Sequence, residues 1–401
     1  MFKNIINSIP PETLKALTSI TKTYHEAGYQ CYLVGGSLRD LLLGEMPCDF
    51  DFTTDAPLDV TKRLFKRVIP VGESHGTLSI LLNRQSFEIT RFRRDIQTFG
   101  RKAIVEFGTS IEEDLLRRDL RINAMAYDIL GNRLIDTQGG VKDIEDKLIR
   151  FVGDATIRIK EDHLRAVRFV RLVAKTKPLG FTFDNDEMRK VIKTFDSSYL
   201  SVERIYLEFQ KMFIAQTSDF DFLFSYLHEL GLFSRFFKNP SIARLVLLKV
   251  IKSKSLLPLF YNYREFHSLK ETAKDLKISK LNQKQIELVR EFEQESFTTP
   301  ESIKRLIFRG SSLELNFIIE AFHQIRGLDL SGPIQQVLDS NEPILLKDIE
   351  IDAMDLVSLN FPAKIRGTVL KLLLVEVWKN PAKNEKEWLV TKAQELLISL
   401  Q

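Results

Sequence analysis

The sequence predicts an α+β protein, with strands gathered in its first 150 residues and helices filling the remainder. Three observations carry this. Residues 31–54, CYLVGGSLRDLLLGEMPCDFDFTT, read as strand, double-glycine turn, helix and second strand. Residues 76–92 hold two more runs with strand character, GTLSILL and SFEITRF, parted by the polar turn Asn83-Arg84-Gln85. Beyond Leu179, apolar residues recur at helical spacing to the end of the chain.

At 401 residues and 44% hydrophobic content, the chain is long enough for several structural units with their own cores. No apolar run reaches the roughly 18 residues of a membrane span. The opening MFKNIINSIPPETLK lacks the charged-then-apolar pattern of a secretory signal. Both cysteines, Cys31 and Cys48, lack metal-ligand spacing. The expectation is a cytoplasmic protein with reduced thiols and no membrane partner. Lys+Arg number 58 against 54 Asp+Glu, a net charge of +4, so any polyanion surface must come from local clustering.

Pro10-Pro11-Glu12 opens a first helix running to Ala27. The apolar strand Cys31–Val34 follows, then the Gly35–Gly36 turn and a helix carrying Arg39 and Asp40. Gly44 stops that helix, and a second strand holds Asp49-Phe50-Asp51. Alternation along a strand puts Asp49 and Asp51 on one side with Phe50 behind them. Two carboxylates held close repel unless a cation lies between them, and hard oxygen ligands suit Mg²⁺ or Mn²⁺. Glycines at a strand-to-helix turn let backbone N–H groups approach an anion. A phosphate cradle beside an acidic pair points to phosphoryl or nucleotidyl transfer.

Thr53-Thr54-Asp55-Ala56-Pro57 starts another helix, to about Lys66, ahead of the two strands at 76–92. Glu88 falls on the strand face opposite Phe87 and Ile89. It reads equally as a third metal carboxylate or as an exposed strand glutamate. Arg93 to Lys102, RRDIQTFGRK, is polar, basic and glycine-containing, and reads as a mobile loop. From Glu112, EEDLLRRDLRINAMAYD reads as a helix whose spacing brings Arg118 to Asp114 and Asn123 to Asp119. That is either a salt-bridged amphipathic helix or a place where Arg118 and Asp119 meet a nucleotide's phosphates and sugar. LIDTQGGVKDIEDKLIRFVGD then resembles a hinge.

Residues 157–172, IRIKEDHLRAVRFVRL, read as one helix on which Asp162, Arg165, Arg168 and Arg171 form a spiral band. A carboxylate accepts from an exocyclic amine, while the guanidinium beside it donates to a ring nitrogen or carbonyl. Cytosine and adenine satisfy that pair; uracil and guanine present the reverse polarity and leave groups unpaired, which supports discrimination of roughly 10⁴-fold. The competing reading is a Glu161–Arg165 ion pair on a solvated helix. Ser201 then caps the run ERIYLEFQKMF, and helical periods follow to the end of the chain. Lys249, Lys252, Lys254, Lys364 and Arg366 among them either track an RNA backbone or coat solvated faces.

Taken in order, GGSLRDLLLG with DFD, PVGESHGTLSI, FEITRFR, EEDLLRRDLRINAMA, DTQGGVKDIEDKLIRFVGDATIRIKEDHLRAVRF and SVERIYLEFQKMF resemble one family. It is that of the class II tRNA nucleotidyltransferases, the CCA-adding enzymes, with the related bacterial poly(A) polymerases. The resemblance implies a seahorse-shaped protein: a polymerase-β-like nucleotidyltransferase head (1–150), then all-helical neck (151–215), body (216–310) and tRNA-binding tail (311–401). It implies CCA addition to tRNA 3′ ends from CTP and ATP. Asp49 and Asp51 would hold two Mg²⁺ ions, with Glu88 as third carboxylate. Gly35, Gly36 and Arg39 would meet the triphosphate, and Arg118, Asp119 and Asn123 the rest of the nucleotide. Asp162 and Arg165 would select the base, helped by Arg168 and Arg171.

PVGESHGTL looks more like the CCA-adding members, whereas the 93–102 segment lacks their tyrosine and proline. In the family that segment serves the switch from C to A addition. An enzyme adding only A or only CC, or a poly(A) polymerase, is therefore the alternative. An RNA-binding module with a dead head is opposed by intact Asp49, Asp51, Arg118, Asp162 and Arg165. The tail segment IDAMDLVSLNFP departs from the family's glycine-rich pattern.

Overall fold

The computed structural model describes residues 9–73, 76–83, 85–99, 102–108, 110–213, 219–263 and 269–400. The chain divides into two compact units, Met1–Arg235 and Phe236–Gln401. Residues on both sides of the predicted 134–154 hinge belong to the first.

That unit begins with α1 (Pro11–Glu26), β1 (Cys31–Val34), α2 (Gly35–Leu42), β2 (Phe50–Thr54) and α3 (Leu58–Leu64). It continues with β3 (Val68–Gly72), β4 (Thr77–Leu82), β5 (Gln85–Arg91), β6 (Arg93–Phe99) and β7 (Lys102–Phe107). A seven-stranded sheet in the order β3-β4-β5-β2-β1-β8-β9 forms its frame, with β8 (Ala126–Asp128) and β9 (Arg133–Ile135) at one edge. Its neighbours are antiparallel except β2 and β5, which run parallel with Asp51 beside Glu88 in register. All four residues of β1 are buried, as are Phe50 and Phe52 of β2. An apolar strand covered on both faces holds its register firmly, so β1 and β2 are a rigid mount for the Gly35 turn and for Asp51.

Three expectations are corrected here. The segment from Arg93 to Lys102 is not a loop: β6 and β7 pair antiparallel, from Arg93↔Phe107 to Phe99↔Lys102. Polar residues hid the β-forming Ile96, Thr98, Phe99, Ile104 and Val105, which share this ribbon. Gly100 and Arg101, between the strands, lie outside the described residues, as do Ser74 and His75 of PVGESHGTL. Second, the run from Glu112 is not one helix. Helix α4 (Ile111–Leu116) is closed at its start by a Ser110–Glu113 capping box, then gives way to a single tight turn, Arg121–Asn123, and to β8. Pairing of Tyr127 with Leu33 and of Ala126 with Val34 in the sheet overrides the helical propensity of NAMA.

Third, residues 157–172 break in the middle. Helix α5 (Gly140–Glu145) and β10 (Leu148–Ile149) precede α6 (Ala155–Glu161), and α7 (Leu164–Thr176) begins only after Asp162 and His163. Asp162 takes an extended backbone, φ −154° and ψ 109°. Its carboxylate accepts the Leu164 N–H at 3.1 Å, a local bond that competes with helix continuation. The unit closes with β11 (Thr182–Phe183), α8 (Asn185–Thr194), α9 (Val202–Phe213) and α10 (Phe220–Glu229).

The second unit is helical: α11 (Ala243–Ser253), α12 (Leu257–Asn262), α13 (Leu269–Leu276), α14 (Lys280–Glu291), α15 (Pro300–Arg309), α16 (Leu315–Arg326), α17 (Ser331–Asp339), α18 (Ala353–Ser358), α19 (Ala363–Lys379) and α20 (Lys386–Leu400). Leu356, Phe361, Leu373, Leu374, Val377, Trp378 and Leu389 share one buried core there. Two of the basic residues considered for an RNA track serve the backbone instead. Lys249 Nζ donates to the Ile325 carbonyl at 3.0 Å, and Arg366 Nε to that of Phe361 at 2.8 Å.

Candidate active site

The site grows from the end of β1. Val34 is extended, and Gly35 then turns into the left-handed region at φ +73°, which glycine enters without strain. The turn is tight against two candidate site side chains. A Cβ at Gly35 would lie 3.4 Å from Arg118 Nη1 and 3.5 Å from Asp51 Oδ2. Ser37 stitches the same corner together: its hydroxyl donates to the Val34 carbonyl at 2.8 Å and accepts the Asp51 N–H at 3.4 Å. Strand, turn, acid and arginine thus converge on one spot.

Asp49 stands just before β2 rather than within it, and is exposed. The predicted two-acid strand is therefore one strand acid, Asp51, with a second on the approach. Their charges still meet. The Asp51 carboxyl is pushed up to about 6, first by burial and then by Asp49 and Glu88, while Arg118 and Lys211 pull the other way. A carboxyl raised by neighbouring acids is the electrostatic signature of a place that wants a cation. Asp49 and Asp51 offer hard oxygen donors and fit a divalent ion of the Mg²⁺ kind. Among the described residues, no group of three or more His, Cys, Asp or Glu is gathered to hold a metal. Glu88 enters through its charge and its register with Asp51.

Arg118 is held from behind. Its Nη2 donates to Asp114 Oδ2 at 2.9 Å, and Arg117 takes the other oxygen at 2.8 Å. Burial alone would raise Asp114, but the two guanidinium groups bring it below the usual carboxylate range. A chain of polar contacts runs on from there. Arg39, 6% exposed, donates to Asn123 Oδ1 at 2.7 Å, and Asn123 donates to Asp119 Oδ1 at 3.3 Å. Arg168 Nε lies 3.0 Å from Asp119 Oδ2. Burial opposes ionisation of Asp119, yet Arg168 and the Leu120 N–H hold its carboxyl low. The expected Arg118–Asp114 and Asn123–Asp119 contacts are thus present without the continuous helix that suggested them.

The pair predicted to read the base, Asp162 and Arg165, is arranged differently from expectation. Asp162 sits at the break between α6 and α7, not on the helix of Arg165. Arg204 grips it from α9 with two bonds, 3.1 Å to Oδ1 and 2.7 Å to Oδ2. Arg165 pairs with Glu161 and donates to the Arg117 carbonyl at 3.0 Å. The Glu161–Arg165 pair of the competing reading therefore exists, but Arg165 is 9% exposed and not on a solvated face. Arg165, Arg168 and Arg171 do follow one another along α7. Arg171 Nε donates to Glu208 Oε2 at 2.7 Å, and burial pulls its pKa down.

Sequence reasoning passed over Arg204, Glu208, Lys211 and Lys175. Lys175 ties α7 to the end of α2 through Asp40 at 3.0 Å and Glu45 at 3.3 Å. The signal for the others was present: Arg204, Glu208 and Lys211 stand at i, i+4 and i+7, one charged face of α9.

This strand–glycine–helix corner, with its acids and arginines, matches a known domain. Residues 31–150 fit the family model described as the Poly A polymerase head domain. The resemblance read from the motifs is borne out by relatives as well. A curated CCA-adding enzyme of Bacillus pumilus is 44% identical over 196 residues, 48% of this chain and 48% of that one. That of Bacillus subtilis is 41% identical over 208 residues, 51% of each. In these matches the chain spans about half the length of the curated relatives. A crystal structure of the Bacillus stearothermophilus CCA-adding enzyme in complex with CTP is similar in fold, with TM-score 0.67 and 24% identity over 98% of this chain and 99% of that one. The Thermotoga maritima CCA-adding enzyme complexed with tRNA gives 0.60 at 20% identity, covering 100% and 98%.

Proposed function

We propose that this protein is a nucleotidyltransferase that adds CCA to tRNA 3′ ends, taking CTP and ATP without a nucleic-acid template. One observation carries the reading: the Gly35 turn stands so near Asp51 and Arg118 that a Cβ there would meet both at van der Waals distance. A triphosphate fits where glycine backbone is bare and two guanidinium groups, Arg39 and Arg118, stand near. Asp49 and Asp51 would hold the divalent cations, two Mg²⁺ or Mn²⁺, which when bound acidify the RNA 3′-hydroxyl and stabilise departing pyrophosphate. Asp119, held by Asn123 and Arg168, faces the sugar. Asp162 accepts from the N4 or N6 amine of the incoming base, and Arg165 donates to the neighbouring ring acceptor.

Each carboxylate oxygen has lone pairs beyond those that Arg204 uses, so Arg204 orients Asp162 and leaves it able to accept. Asp162 and Arg165 thereby read polarity rather than size. The head, neck, body and tail divisions at 150, 215 and 310 remain part of this proposal, with the helical regions taking tRNA through its phosphates. No helix among the described residues is long and apolar enough to cross a membrane. A cytoplasmic setting with tRNA is the one proposed.

Purified protein incubated with tRNA lacking CCA, one nucleotide at a time, tests this. Two C residues from CTP and then one A from ATP are expected. A alone onto tRNA ending in CC, with no C added to the shorter tRNA, assigns the A-adding alternative; a homopolymer of A assigns a poly(A) polymerase.

A further inference from the structure

The first unit holds a second cavity beside the α6–α7 break, lined by none of the acids and arginines of the candidate active site. Its volume is about 790 Å³, and Lys160, His163, Lys193, Phe195, Asp196 and Tyr199 line it. Its inner wall is fixed. His163 is 7% exposed, and its Nδ1 accepts the Asp196 N–H at 3.0 Å. The ring proton is therefore on Nε2, and burial pulls the imidazole pKa down, so the ring is neutral. Tyr199 lies on that ring with centroids 4.6 Å apart and planes within 6°.

The outer face of Tyr199 is bare; the residue is 61% exposed. A neutral aromatic pair presenting one free flat face is a platform for a further ring. Two charges stand at the rim. Lys160 in the last turn of α6 and Lys193 in the last turn of α8 are exposed and have no acidic partner among the described residues. The one carboxylate of the cavity, Asp196, is turned to the Ser198 N–H at 2.8 Å. A flat stacking face with unpaired ammonium groups beside it matches a nucleobase with flanking phosphates.

We propose that this cavity takes an unpaired nucleotide of the RNA substrate, its base on Tyr199 and its flanking phosphates on Lys160 and Lys193. The inference rests on the proposed function, in which the protein acts on RNA. Its occupant abuts His163, the residue next to Asp162, so RNA seated there touches the segment that carries base selection.

The test uses the full chain and tRNA lacking CCA, with binding measured over a range of salt. Tyr199→Ala should weaken binding about 5- to 150-fold, the worth of one base–aromatic stack, and Tyr199→Phe should bind as wild type. The paired change Lys160→Gln with Lys193→Gln leaves the aromatic wall intact. It should lower the slope of log K on log salt by about 1.4, roughly 0.7 for each phosphate contact on a single strand. The KM for CTP at saturating tRNA should not move in any of these. Unchanged affinity and slope in variants of a protein that binds and extends tRNA overturns the inference alone. Wild type that neither binds nor extends tRNA overturns the functional reading and this inference with it. Loss of free ATP or CTP binding in Tyr199→Ala, with tRNA binding intact, gives the cavity to a free nucleotide and also overturns it.

Discussion

Asp51 stores electrostatic strain that a single substitution should release. Its carboxyl is pushed from 3.8 up to about 6. At about 1.36 kcal/mol for each pKa unit, ionised Asp51 costs the metal-free fold roughly 3 kcal/mol. The sign follows from the raised value: the folded state binds the proton more tightly than the unfolded chain. The Asp51 contribution to stability is fully present below about pH 4 and is lost as pH rises through about 6. Asp51→Asn keeps the shape and removes the charge. It should stabilise the protein in EDTA at pH 7.5 by up to roughly 3 kcal/mol, and the gain should vanish at or below pH 4. Excess Mg²⁺ should favour the wild type and shrink the difference. Denaturant unfolding of both proteins at two pH values, with and without the metal, measures each term. Asp51→Asn no more stable than wild type in EDTA at pH 7.5 would refute the reasoning.

Gly35→Ala forces a methyl-bearing residue to φ +73° with Arg118 and Asp51 at 3.4 and 3.5 Å. It should cost about 1–2 kcal/mol in unfolding and raise the KM for nucleotide; unchanged kinetics would count against a phosphate at this turn. Arg204→Ala removes both bonds on Asp162. Discrimination of CTP over UTP should fall about tenfold or more, with partial recovery in Arg204→Lys. Full selectivity in Arg204→Ala would mean that Asp162 does not need that grip. Lys211→Ala takes away one of the two positive charges that oppose protonation of Asp51. The acid limb of the pH–rate profile should move to higher pH, and an unmoved limb would separate Lys211 from the site.

Local chemistry made part of this legible in the sequence. The β1–Gly35–α2 corner could be read because an apolar run, two glycines and a helix pattern each point to the same local structure. The Arg118–Asp114 contact was also readable, since four-residue spacing spans only the short α4 and its end. What depends on distant partners was not readable. Nothing near Ala126 announces that it will lie against Val34, so the strand reads locally as helix. Asp162 likewise looks like a helix residue until Arg204, 42 positions on, is there to hold it outside the helix. The β6–β7 ribbon was lost behind its arginines, because strand pairing uses backbone groups that composition does not display.

Incorporation of labelled CTP and ATP into tRNA lacking CCA, alongside tRNA binding, by wild type and by Asp49→Ala/Asp51→Ala tests the central claim most directly. The paired substitution should abolish incorporation and leave tRNA affinity within about twofold of wild type. Incorporation at the wild-type rate would contradict the assignment of Asp49 and Asp51 as the groups on which nucleotidyl transfer depends.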